Sequence, residues 1–218
     1  MTKKIAFLFD LNGTMVDDME YHIRAWHDIL NGLGANLTMA EVKKECYGKN
    51  DELLERIFPG RFSTAEMTTM SYEKERAYQA AFKPVLKLIN GLEAFLEKAT
   101  NEQIPMAIGS AAIMFNIDFV LDGLTLRHHF KKIVSAEDVA ISKPHPETYL
   151  KCADALNMPY SDCIVFEDAP KGVEAAQNAG MRAVVLTTMH TKEEFAMYKN
   201  IICFVKDYTD TQLDHLFH

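Results

Sequence analysis

Apolar and polar positions follow two rhythms along the chain. Short apolar runs of strand length recur at "KIAFLFD" (Lys4 to Asp10), "IPMAIGS" (Ile104 to Ser110), "KKIVSA", "CIVFED" (Cys163 to Asp168), "RAVVLT" and "IICFV". Runs this apolar suit strands buried on both faces of a parallel sheet. Between them lie helical patterns: one carries Leu92, Phe95, Leu96 and Ala99, a second Ile117, Val120 and Leu121. A third, "PETYLKCADAL", is opened by Pro146 just inside its start, and a fourth closes at Gly180. A short helix and a final helix complete the order. Strands alternating with helices predict right-handed crossovers and a mainly parallel α/β sheet.

The stretch from about Val16 to Pro84 breaks this alternation, with helical spacing and no strand. Its first helix is expected to bury Trp26, Ile29, Leu30 and Leu33. "TMAE" (Thr38 to Glu41) and "STAE" (Ser63 to Glu66) match the capping box, and Pro59-Gly60 separates two helices. Four such helices suit a small bundle.

In a parallel α/β sheet, ligands bind beyond the carboxyl ends of the strands. The residues expected there are Asp10, Ser110 and the pair Glu167-Asp168, with Lys143 in a connection. Asp10 and Asp168 offer hard oxygen ligands of the kind Mg²⁺ takes. Lys143 beside them would hold Asp10 ionised. An ionised carboxylate beside a phosphoryl group can act as a nucleophile and form an aspartyl phosphate. Ser110 and the amides after it, beginning with Ala111, would donate to the phosphoryl oxygens while Lys143 and the metal offset charge. The chemistry implied is metal-assisted phosphoryl transfer.

Composition narrows the partners. The chain has 218 residues, 48% hydrophobic and 25% charged, enough for one sizeable domain with a smaller companion. A net charge of −8 argues against a nucleic-acid or anionic-membrane surface, and no window reaches the length of a membrane span. Four scattered cysteines without a C-x-x-C pair suggest reduced thiols, and the N-terminus lacks a signal-peptide pattern. A soluble, cytoplasmic protein is expected, monomeric by default, acting on a small phosphorylated metabolite.

Four motifs in order, "FDLNGT", "AIGSAA", "ISKPHPETY" and "IVFEDAPKG", resemble those of the haloacid dehalogenase superfamily of phosphohydrolases. The helical stretch after the first motif resembles its cap domain. "EYHIRAWHDIL" (Glu20 to Leu30) is similar to the start of the cap in the β-phosphoglucomutase-like subfamily. The resemblance implies a Rossmann-like core of residues 1–15 and 86–218, with an all-helical cap of residues 16–85 that opens and closes about its two linkers. It implies Asp10 as nucleophile and metal ligand, Asp168 as metal ligand with Glu167 beside it, and Ser110 and Lys143 as phosphate holders. It also implies that the backbone carbonyl of Asn12 reaches the Mg²⁺. Thr14, His22 and the cap loop "YGKND", with Gly48 and Lys49, would lie against the substrate. The mutases' arginine in that loop has no clean counterpart, which favours a phosphatase over a mutase.

Asn12 departs from the family, whose phosphatases and mutases mostly carry a second Asp there as general acid and base. An amide cannot ionise, and losing such a group typically costs ~10²–10⁴ in rate. Three accounts stay open: a replacement made to trap a complex, a leaving group already stable as an anion, or a phospho-ligand binder with little turnover. Elsewhere the surroundings are bland. Trp26 is expected to pack within the cap, and Lys74 and Arg76 to lie on a solvated face among Glu73 and Glu75. His128-His129, His145 and "TTMHTKEEF" read as surface connections.

Overall fold

The computed structural model describes residues 5–217; Lys4, the first residue of the expected opening strand, lies outside that range. The chain divides into two compact units, one formed by the stretch up to Asp17 with Lys87 onward, the other by Asp18–Leu86.

The first unit is a six-stranded sheet with every pairing parallel. Its strands are β1 (Ala6–Phe9), β2 (Met106–Gly109), β3 (Lys132–Val134), β4 (Cys163–Glu167), β5 (Arg182–Leu186) and β6 (Ile201–Val205), in the order β3-β2-β1-β4-β5-β6. β1 sits in the middle of the reversal, with β2 on one side and β4 on the other. The alternation of side chains along a strand sorts β1 cleanly. Ala6 and Leu8 join a buried cluster with Tyr149, Cys152, Val173 and Ala176, from α7 (Glu147–Leu156) and α8 (Pro170–Asn178). Phe7 and Phe9 enter an aromatic cluster in which Phe9 stacks on Phe166 at 4.6 Å and Phe7 meets Phe95 at 5.4 Å. Phe95 belongs to α5 (Leu92–Asn101), and α6 (Met114–Gly123) follows β2. All four residues of β1 are fully buried. At about 1.5–3 kcal/mol for each large apolar side chain, this strand anchors the sheet.

The second unit holds α1 (Met19–Gly32), α2 (Met39–Glu45), α3 (Asn50–Ile57) and α4 (Thr64–Phe82). Both expected capping boxes form: Thr38 with Glu41, and Ser63 with Glu66. The buried stripe of α1 is rotated from the expected one. Trp26 and Leu30 are buried, but Ile29 and Leu33 are half-buried, and His22, Ile23 and Ala25 take their place. His22, Trp26 and Leu30 recur every four residues, the spacing of one helix face.

Three smaller differences concern helix ends and type. Pro146 caps α7 rather than occupying its first turn. The short helix at Lys192–Phe195 and the last at Thr211–Phe217 are both 3-10 turns. Gly180 follows α8 at φ +72°, as expected of a residue ending a helix. No helix among the described residues is long and apolar enough to cross a membrane.

Candidate active site

The register of the sheet brings the chemistry to one edge. Phe9 pairs with Ile108 of β2 and with Phe166 of β4, so Asp10, Ser110 and Glu167-Asp168 leave neighbouring strands together. The Asp10 amide donates to the Phe166 carbonyl at 3.0 Å, and the Ser110 amide to the Val134 carbonyl at 2.9 Å. Lys143 arrives from the connection before α7. Its ammonium donates to Asp10 Oδ1 at 2.6 Å and to Glu167 Oε1 at 2.7 Å, and lies 4.7 Å from the Tyr149 ring centre. Burial alone would push the Lys143 ammonium down, but Asp10 and Glu167 outweigh it and hold it charged above its usual range.

Glu167 is the hub of this network. Its Oε1 accepts from Lys143 and from the Tyr149 hydroxyl at 2.8 Å; its Oε2 accepts the amides of Asp168 and Ala169, each at 3.0 Å. Burial, then the Glu167 charge, pushes the Tyr149 hydroxyl well above its usual value, so it stays a donor. The Asp10 side chain keeps 12% exposure against 2% for Glu167.

Two glycines make room for the acids. Gly13, at φ +78°, passes so close to Asp168 that a Cβ there would lie 2.1 Å from Oδ2. Gly172 in α8 faces Glu167, and a Cβ there would lie 1.7 Å from Oε1. The loop after β1 is held on its other side too. Thr14 is fully buried and donates its hydroxyl to Asp168 Oδ1 at 3.3 Å. Thr188 donates to the Gly13 carbonyl at 2.7 Å and Tyr208 to the Thr14 carbonyl at 3.1 Å. Asn12 bridges to Val16 within this loop.

Asp10, Glu167 and Asp168 each offer an oxygen within 4.8 Å of the others, and all three are buried. Three hard oxygen donors beside a single lysine suit a small divalent cation. At the end of β2, Ser110 Oγ accepts the Ala112 amide at 3.1 Å and turns the chain past Ala111.

A sequence model described as haloacid dehalogenase-like hydrolase matches residues 7–186. The chain belongs to that family. Over 187 residues it is 32% identical to a β-phosphoglucomutase of Bacillus subtilis, covering 82% of this chain and 81% of that protein. It is 28% identical over 179 residues to a fructose-1-phosphate phosphatase of Escherichia coli, covering 82% and 94%. A solved β-phosphoglucomutase structure from Clostridium difficile superposes with a TM-score of 0.85 at 26% identity, over 98% of this chain and 95% of that one. The expected fold, a parallel sheet with a helical cap, is borne out, as is the family; the relatives named here include both a sugar-phosphate phosphatase and a phosphomutase.

In the helical unit the expectation for Lys74 is overturned. Lys74 and Glu75 are 3% and 1% exposed, while Arg76 and Glu73 are exposed as expected. The Lys74 ammonium lies 2.6 Å from His22 Nδ1 and donates to Glu75 Oε1 at 2.9 Å. His22 Nε2 lies 3.5 Å from Asp18 Oδ2, and Tyr78 donates to the same oxygen at 2.5 Å. The His22 ring stacks on Tyr78 at 3.8 Å, and Asn50 donates to Glu75 at 2.9 Å. Burial works against the Glu75 charge, but Lys74, His22 and Asn50 hold its carboxyl below the usual range. A run of charged residues masked this cluster in the sequence; the spacing of Ser71, Lys74, Glu75 and Tyr78 on one face was the signal available.

The cap loop has its own clamp. Arg56 donates to the carbonyls of Glu45 (2.7 Å) and Tyr47 (2.9 Å) and lies 3.9 Å from the Tyr47 ring centre. Within that loop Gly48 takes φ +76°, and the amide of half-buried Lys49 donates to Glu52 Oε2 at 2.9 Å.

Proposed function

We propose that the protein is a Mg²⁺-dependent phosphoryl-transfer enzyme working through an aspartyl phosphate on Asp10. The favoured activity is a phosphatase acting on a small phosphorylated metabolite, sugar phosphates being the class named for its relatives. The observation that carries this is the Lys143 ammonium between Asp10 and Glu167, next to Asp168.

The Asp10 carboxylate oxygen, beside the Lys143 ammonium, bonds to phosphorus as the bond from phosphorus to the substrate oxygen breaks and that oxygen leaves with the electron pair, and water then takes the phosphoryl group and frees the Asp10 carboxylate. Ser110 accepts the Ala112 amide and so keeps its own hydroxyl hydrogen to give to a phosphoryl oxygen, with the Ala111 amide beside it. Asp10, Asp168 and the Asn12 carbonyl would hold Mg²⁺, which when bound supplies charge neutralisation at the phosphoryl oxygens. Glu167, already accepting four hydrogen bonds, orients Lys143 and the Asp168 backbone. Thr14 gives its hydroxyl to Asp168, so it serves the metal site rather than touching the substrate. His22, Gly48 and Lys49 of the helical unit would contact the substrate. The 32% identity to a β-phosphoglucomutase supports mutase as the second reading, in which a sugar hydroxyl instead of water takes the phosphoryl group. A phospho-ligand binder with little turnover is the third, supported by Asn12.

The test is phosphate release from a panel of phosphorylated metabolites, with acid-quenched mass spectrometry of the Asp10 peptide. Magnesium-dependent release with label on Asp10, lost in Asp10→Ala, is expected. Turnover that survives Asp10→Ala would overturn the mechanism, and an isomerised sugar phosphate without net release would select the mutase.

A further inference from the structure

Tyr208 lies between β6 and the last 3-10 turn and is 6% exposed. Its ring joins the aromatic cluster, 5.5 Å from Phe95, 5.8 Å from Phe166 and 6.4 Å from Phe9. Its backbone is held as firmly. The Tyr208 amide donates to the Asn90 carbonyl at 2.9 Å. Gly91, at φ +81°, passes so close that a Cβ there would lie 2.8 Å from the Tyr208 carbonyl carbon. Next to it, Asp207 accepts the Thr209 amide at 2.9 Å and the Thr209 hydroxyl at 2.6 Å. A ring fixed by packing on one side and by backbone bonds on the other puts its hydroxyl in one place.

That place is where the chain leaves the sheet unit and comes back to it. The sheet unit ends its first stretch at Asp17 and resumes at Lys87. Just inside those points the Ile89 amide donates to the Met15 carbonyl at 2.9 Å. Tyr208 ties the residue next to each: its hydroxyl donates to the Thr14 carbonyl at 3.1 Å and its amide to that of Asn90. Thr14 in turn gives its hydroxyl to Asp168 Oδ1 at 3.3 Å. That is near the long limit of a hydrogen bond, so a small shift of Thr14 would break it. We propose that Tyr208 is a positioning residue for the metal site. Acting through Thr14, its hydroxyl sets where Asp168 presents its carboxylate, and its amide fixes the returning chain to the same point. This rests on the reading of Asp168 as a metal ligand and adds a residue that acts on it from two hydrogen bonds away. Removing a partner of a ligand typically costs about 10–100-fold in metal affinity. Tyr208 is one bond further out, and a single neutral hydrogen bond supports a change of about fivefold.

The experiment is Mn²⁺ binding by isothermal titration calorimetry, without substrate, to the parent, Tyr208→Phe, Thr14→Val and the double variant. Tyr208→Phe keeps the ring and removes the hydroxyl alone. It should raise the Mn²⁺ dissociation constant about fivefold and Thr14→Val about 10–100-fold, with the double variant no worse than Thr14→Val. That non-additivity marks one residue acting through the other; a purely structural role would lower the melting temperature and leave the Mn²⁺ constant in place. Unchanged binding in Tyr208→Phe, or losses that add in the double variant, would overturn the proposal. Hydrogen exchange of the parent needs no variant. The Ile89 and Tyr208 amides should exchange as slowly as the Asp10 amide, and exchange at exposed-loop rates would overturn the proposal as well. A parent that binds no Mn²⁺ sinks the metal reading of Asp168 and this proposal with it. Coupled losses of Mn²⁺ binding without phosphate release from any donor support Tyr208 and sink the proposed activity alone.

Discussion

Gly172→Ala sets two effects of known size against each other. Gly172 lies in the first turn of α8, where replacing glycine by alanine favours the helix by about 1 kcal/mol. The new Cβ, however, would sit 1.7 Å from Glu167 Oε1 and 1.9 Å from its Cδ. The Glu167 carboxylate must then move by more than about 1 Å, too far to keep both hydrogen bonds on that oxygen. Those bonds come from Lys143 and Tyr149. At about 1.5–3 kcal/mol for each bond to a charged group, the loss is about 3–6 kcal/mol. Net of the helix gain, destabilisation of about 2–5 kcal/mol is expected. For a chain of this size that is a fall in melting temperature of roughly 5–20 °C. Thermal melts followed by circular dichroism measure it directly. Gly32→Ala in α1 is the control, since nothing lies within 4 Å of a Cβ there; it should leave the melting temperature unchanged or slightly raised. If Gly172→Ala also melts at or above the parent, Glu167 is not pinned as described and the account of the site's framework fails.

Two further outcomes follow from buried charge and burial. Lys74→Met should destabilise by about 3–5 kcal/mol in urea unfolding, because it strands Glu75 in the interior; Lys74→Met with Glu75→Leu should recover most of the loss. A single-variant cost below about 0.5 kcal/mol would return Lys74 to a solvated face. Burial pushes the Cys152 thiol up from 9.0 to about 12. A raised folded-state pKa contributes stability that is intact below the unfolded value and drains as pH rises, so about 1.4 kcal/mol should be lost by pH 10. Cys46 and Cys163, each pushed up by burial to about 11, lose stability in both proteins, so the fall between pH 8 and pH 10 should be about 1.4 kcal/mol smaller in Cys152→Ala than in the parent; matching pH dependences would refute it.

The sequence by itself determined the order of elements, the parallel sheet, both capping boxes in the helical unit, and the gathering of Asp10, Ser110, Lys143 and Glu167-Asp168 at one sheet edge. These are local signals: apolar rhythm and cap residues act over a few positions, and the strand-end rule then assembles the edge. It also showed that residue 12 is an amide, which no fold can change. Only the tertiary structure decided what each acid spends its oxygens on. Glu167 reads in the sequence as one of two adjacent carboxylates, yet Lys143, Tyr149 and two amides occupy it. Gly13 and Gly172 read as ordinary glycines until the approach of Asp168 and Glu167 is seen. Lys74 and Glu75, flanked by charged neighbours, look solvated because a helix face is chosen by what packs on it. His22, 52 residues earlier, and Asn50, 25 residues earlier, supply that packing. Contacts across such separations depend on how the elements meet in space, and no local pattern encodes them.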